Sequence, residues 1–195
     1  MLCVDAVLRR LVLPLGHRTG PAVDTLLARH RAALLDRVGP SHHPGGRAAR
    51  RVIDFASPHA ENGGESLLRV VLHELGAPTP ELQRIFTRNG RFVARCDAYL
   101  AESGTVVEFD GFVKLTDPTM LAGKTPEEAL RDRVRRDKRL LALPEVRHVV
   151  HCYYIELVKP RLLAALLDDA DVALNPRRRA EATRIAARRF DGARG

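Results

Sequence analysis

The run Arg95-Cys-Asp-Ala-Tyr-Leu-Ala-Glu-Ser-Gly-Thr-Val-Val-Glu-Phe-Asp-Gly111 constrains this chain more than any other stretch, because it puts three carboxylates on the strands of one β-hairpin. Strand side chains alternate between two faces, so Asp97 shares a face with Val93 and Arg95, while Phe92, Ala94, Cys96 and Leu100 take the other. On the second strand Glu108 and Asp110 share a face with Val106. Glu102-Ser-Gly104 forms the turn, which brings Asp97 and Glu108 together near the open end of the hairpin. Acidic residues disfavour strands, and several on one face repel one another unless a cation balances them, so something positive is expected beside them. Hard oxygen ligands of this kind suit Mg²⁺ or Mn²⁺, which one or two carboxylates hold together with water and a substrate phosphate. The alternative from spacing alone is a solvated acidic face on an exposed hairpin.

The rest of the chain supplies the frame for that hairpin. At 195 residues, with 45% hydrophobic and 29% charged side chains, it suits one globular domain with a helical extension. No apolar run reaches the length of a membrane span and no secretory signal is evident, which points to a cytoplasmic protein without a membrane partner. Cys3, Cys96 and Cys152 are too few and too scattered for a disulfide framework or a paired-cysteine zinc site. The net charge of +8 favours a polyanionic partner. From Pro176 to Gly195 seven arginines face only Glu181 and Asp191, a surplus of five positive charges concentrated at the C-terminal end. Arg177, Arg178, Arg184 and Arg188 are therefore candidate nucleic-acid contacts, the alternative being a solvated basic helix.

Periodicity predicts helices at about Cys3 to Leu13, Ala22 to Val38, Arg47 to Ala56 and Gly64 to Leu75. The last has an apolar stripe of Leu68, Val71, Leu72 and Leu75, with Glu65 one turn earlier on the same face. Strands follow at about Leu82 to Thr87, Arg91 to Leu100 and Thr105 to Phe109, with Asn89-Gly90 as a tight hairpin turn. Thr125 and Pro126 open a charged helix to Leu143 whose stripe is Leu130, Val134 and Leu141, with Asp137 falling on it. A strand at Val146 to Tyr153, an apolar helix at Pro160 to Leu167 and an arginine-rich last helix complete the order. The expected fold class is α/β or α+β with a mixed sheet, divided into a helical extension (1–47), a core domain (48–170) and a basic C-terminal helix and tail (171–195).

Gly64-Glu-Ser-Leu-Leu-Arg69, Gly90-Arg-Phe-Val-Ala-Arg-Cys-Asp97 and Val106-Val-Glu-Phe-Asp-Gly111 with Lys114 together resemble a known group. This is the very-short-patch-repair-like endonuclease domain (domain of unknown function 559) of the PD-(D/E)XK nuclease superfamily, as found in actinobacterial AbiEi-antitoxin-like proteins. The resemblance covers roughly Ala48 to Leu167 and implies a restriction-endonuclease-like mixed sheet flanked by helices. It implies further that Asp97 and Glu108, with Asp110 as a neighbour, hold Mg²⁺, that Glu65 reaches the site from the first core helix, and that Arg136 helps bind DNA. The superfamily's lysine stands two residues after the acidic strand residue, a position that is Asp110 here, so Lys114 is the expected substitute. The function implied is Mg²⁺-dependent DNA endonuclease activity. The alternative is a catalytically inactive domain that binds DNA or a toxin protein, as in type IV toxin-antitoxin systems.

Overall fold

The computed structural model describes residues 1–13, 20–110 and 125–191. They form two compact units, Met1–Ser66 and Leu67–Gly195. In the first, α1 (Leu2–Val12) packs on α2 (Pro21–Val38), which packs on α3 (Gly46–Phe55). Leu8, Val12, Val23 and Ile53 are buried there, and the buried Asp5 carboxylate accepts a hydrogen bond from the Ser57 N–H at 2.8 Å, so its burial is matched by a donor. The helix α4 (Gly63–Leu75) begins in this unit and continues into the second.

The second unit is built on a four-stranded mixed sheet in the order β1-β4-β5-β6, formed by β1 (Glu81–Leu82), β4 (Ala98–Leu100), β5 (Thr105–Phe109) and β6 (His148–Cys152). The first three strands are antiparallel in sequence, and β6 runs parallel to β5 after the crossover helix α5 (Pro126–Leu141). A separate antiparallel ribbon pairs β2 (Ile85–Arg88) with β3 (Arg91–Arg95). Then come α6 (Tyr154–Val158), α7 (Pro160–Asp168) and α8 (Pro176–Asp191). No described helix is long and apolar enough to cross a membrane.

The sheet is buried on both faces. One face presents Ala98, Leu100, Val107, Val150 and Cys152 to Leu68, Val71, Leu72 and Leu75 of α4 and to Leu163, Ala164 and Leu167 of α7. The other presents Tyr99 and Val106 to Leu140, Phe86, Ala94 and Cys96. Tyr99 anchors this second cluster by an edge-on contact with the Phe86 ring and by donating its hydroxyl hydrogen to the Glu145 carbonyl at 2.6 Å. The α5 N-terminus is fixed by a capping box, in which Thr125 Oγ1 accepts from the Glu128 N–H and the Glu128 carboxylate accepts from the Thr125 N–H.

Three details depart from the periodicity reading. The expected strands Leu82 to Thr87 and Arg91 to Leu100 each break in two, because the chain turns at Gln83, with φ of 53°, and at Cys96-Asp97. Phe92 and Leu100 therefore do not share a face with Ala94 and Cys96. The register shifts by one residue between Phe86↔Ala94 and Thr87↔Phe92, a bulge that rotates Phe92 outward to 68% exposure while Ala94 stays at 2%. The third departure is in α5, where Leu130, Val134 and Leu141 lie on the exposed side. The face of α5 turned to the sheet carries Arg133, Arg136, Asp137 and the fully buried Leu140, because the edge of the sheet that it covers is acidic.

Candidate functional site

The acidic residues gather where β4 begins and β5 ends. The register pairs Ala98 with Val107, which sets Asp97 and Glu108 one position further on as neighbours across the strands. Asp97 Oδ2 accepts a hydrogen bond from the Phe109 N–H at 2.9 Å, tying the bend before β4 to the end of β5. Glu108 is buried at 5% exposure and pairs in register with His151 on β6. Asp110 follows β5, its N–H donating to the Cys152 carbonyl at 2.9 Å.

Glu108 and Asp110 each meet a cation from α5 or β6. Arg136 donates from one guanidinium nitrogen to Glu108 Oε1 and to the Arg95 carbonyl, both at 2.6 Å. Arg133 reaches Asp110 Oδ2 at 3.0 Å and the Tyr153 hydroxyl at 2.9 Å. His151 lies between two acids, with Nδ1 2.8 Å from Asp110 Oδ2 and Nε2 3.0 Å from Asp137 Oδ2. The other Asp137 oxygen, Oδ1, is buried and has no hydrogen-bond partner among the described residues.

This crowding shifts the titration of the groups. Burial first, then the charge of Asp97, pushes the Glu108 carboxyl up to about 7 against the opposing pull of Arg136. Burial by itself would lower the His151 imidazole. The hydrogen bond to Asp110 and the charges of Asp137 and Asp110 outweigh burial and the opposition of Arg133, and hold it above its ordinary value. Burial also raises the neighbouring thiols, Cys96 up to about 12 and Cys152 in the same direction, which disfavours their thiolate forms.

Above this floor α5 forms one wall of an open cleft of about 850 Å³, lined by Arg133, Arg135, Arg136, Lys138 and Arg139 together with Asp110 and His151. Arg135 is exposed 3.7 Å from Asp132, which also lines the cleft, and Lys138 and Arg139 are exposed as well. The cleft is therefore acidic and neutralised at its base and cationic at its mouth, a polarity suited to an anion that does not reach the buried carboxylates.

The other residues singled out by sequence are placed as follows. Glu65 lies in the first unit, where its carboxylate accepts from the Glu61 N–H and from the Asn62 side-chain amide, both at 2.6 Å, in the first turn of α4. Lys114 lies outside the described residues. Arg177 and Arg184 are exposed on α8, with Glu181 3.9 Å from Arg184, while Arg178 is half-buried near Gly76. Arg188 belongs to α8, whose earlier turns pack on α7 through the buried Ala182. Arg133, His151 and Asp137 complete the cluster without having been identified as a group from sequence. The available signal was the location of Asp137 on a helix face that also carries arginines at i−4 and i−1.

The carboxylates fit a divalent cation poorly in this arrangement. Among the described residues no group of three or more His, Cys, Asp or Glu side chains is spaced to hold a metal ion. Arg136 already sits against Glu108, and Asp110 is turned to Arg133 and His151. No family model, curated protein or solved structure matches this chain.

Proposed function

We propose that residues 67–195 form a restriction-endonuclease-like domain that binds the phosphodiester backbone of DNA along the cationic side of α5, with its acidic centre closed by an internal cation. The observation that carries this reading is the contact of Arg136 with Glu108 at 2.6 Å. A buried carboxylate beside Asp97 requires a positive partner, and the guanidinium fills that requirement with charge and hydrogen bonds at once. With the centre neutralised from within, the exposed Arg135, Lys138 and Arg139 remain for phosphates, and the arginine surplus of the last helix adds to the same attraction.

Fluorescence anisotropy with a labelled duplex tests it. Binding should weaken steeply with added salt, be indifferent to EDTA, and leave the DNA intact. Absence of binding at about 50 mM salt, where phosphate contacts are strong, would refute it.

A second reading, Mg²⁺-dependent hydrolysis of DNA at Asp97 and Glu108, is favoured by one feature. A carboxyl pushed up to about 7 by burial first and then by a neighbouring carboxylate is a recurrent property of catalytic centres. Mg²⁺-dependent nicking that disappears in Asp97→Ala would select that reading over the first.

A further inference from the structure

From Leu82 to Cys96 the chain carries four arginines and no carboxylate, and the middle of that segment is exposed. Thr87, Arg88, Asn89, Gly90, Arg91 and Phe92 are consecutive exposed residues at the tip of the β2–β3 ribbon. Phe86 and Ala94, one step further in, are buried at 1% and 2% and root the ribbon in the core beside Tyr99. Asn89 and Gly90 have φ of 51° and 73°, the left-handed pair that makes a two-residue hairpin turn, so the tip is only two strands wide.

Two features of the tip lack a purpose within the folded chain. Arg88 and Arg91 are paired directly across the ribbon, where like charges are destabilising, and neither has an ion-pair partner among the described residues. The bulge beside Thr87 takes Phe92 out of the buried face and leaves a large ring 68% exposed next to those arginines. A paired cationic tip with an adjacent aromatic is complementary to a polyanion that also offers apolar contact. A two-stranded ribbon is about 5 Å across between backbones, and the major groove of duplex DNA, about 12 Å wide and 8.5 Å deep, admits one. Beyond the root Thr87 and Arg88 lead to the Asn89-Gly90 turn, so the three steps from Phe86 to Asn89 carry the tip about 10 Å out, comparable with the depth of the groove.

We propose that the β2–β3 hairpin is the element that enters the major groove of duplex DNA, with Arg88 and Arg91 meeting base edges or flanking phosphates and Phe92 packing against base methyl groups or sugars. This rests on the reading that the domain binds DNA and assigns a different surface from the α5 cleft to groove contact. The test uses the full chain and compares wild type, Arg88→Ser/Arg91→Ser and Phe92→Ala on a labelled duplex, with Arg135→Ser/Arg139→Ser as the cleft control. The arginine pair should cost roughly tenfold to a hundredfold in affinity, Phe92→Ala a smaller loss, and a major-groove ligand such as methyl green should displace the protein where the minor-groove ligand netropsin does not. Affinity within about twofold of wild type for the arginine pair, together with a loss in the cleft control, would overturn the hairpin assignment while leaving DNA binding in place. No binding by wild type would overturn the underlying reading instead. Equal affinity for polyglutamate, lost in the same arginine variant, would assign the tip to an acidic protein surface and also overturn the proposal.

Discussion

Removing Arg136 should destabilise the protein in a pH-dependent way. In Arg136→Ala, Glu108 keeps its burial and its repulsion from Asp97 and loses the charge and hydrogen bond that hold its pKa down, leaving only the weaker pull of His151. Deleting one partner of a buried pair costs about 3 to 5 kcal/mol because the other charge is left uncompensated. The Glu108 side chain is 7% exposed but that of Arg136 is 30%, so screening brings the expected loss to the lower end, about 3 kcal/mol at pH 8. At pH 5 the result differs. Glu108 is held near 7 in the wild type and higher in the variant, whereas in the unfolded chain it titrates near 4.5. A folded-state value above the unfolded one means that the folded protein binds the extra proton between these values, and stability falls as pH rises through that window. At pH 5 Glu108 is neutral in both folded proteins, so the hydrogen bonds from Arg136 to the neutral carboxyl and to the Arg95 carbonyl and the packing of the Arg136 stem are lost, about 1 to 2 kcal/mol. Urea unfolding followed by circular dichroism at pH 5, 6, 7 and 8 measures the difference. A loss that is equal at pH 5 and pH 8 would show that Arg136 acts through packing and not as the counter-charge of Glu108.

The His151 imidazole should titrate above its ordinary value in an NMR experiment, and Asp110→Asn should bring it down, because the bond to Asp110 is the largest contribution raising it. Stability contributed by that protonation is present below about 6.5 and is lost as pH rises through the folded value, which thermal melts of Asp110→Asn against wild type would register as a flatter profile. Phe86→Ala removes a ring that is 1% exposed and stacked edge-on against Tyr99, and should cost about 3 to 5 kcal/mol in chemical denaturation. Gly104→Ala should cost more than about 1 kcal/mol, since φ is +64° and an added Cβ would lie 2.9 Å from the Glu145 carbonyl oxygen. Both losses would be read as a shift in the denaturation midpoint.

What the sequence disclosed was local. The strand Thr105–Phe109, the Asn89-Gly90 turn, the Thr125-Pro126 helix start and the buried stripe of α4 each rest on neighbours within a turn or a strand, and each formed as expected. The bulge at the ribbon was not legible, because one inserted residue exchanges faces without altering composition, and Phe92 and Ala94 looked equivalent. The inward face of α5 was misread for a related reason. Its leucines and valine suggested a core stripe, but the helix covers the acidic end of the sheet and turns Arg133, Arg136 and Asp137 toward it. Of the candidate site, the neighbouring placement of Asp97 and Glu108 followed from the hairpin alone. Their partners did not, since Arg136 lies 28 residues from Glu108 and His151 lies 41 from Asp110, and no local period links such distances.

The salt dependence of duplex binding tests the central claim most directly. Each phosphate neutralised steepens the slope of log affinity against log salt by about 0.9. Arg135→Ser/Arg139→Ser should therefore make the wild-type slope shallower by about 2 in buffer that contains EDTA and no Mg²⁺. A slope unchanged by that double substitution, or binding that appears only when Mg²⁺ is present, would contradict a cationic α5 face acting over a centre already closed by Arg136.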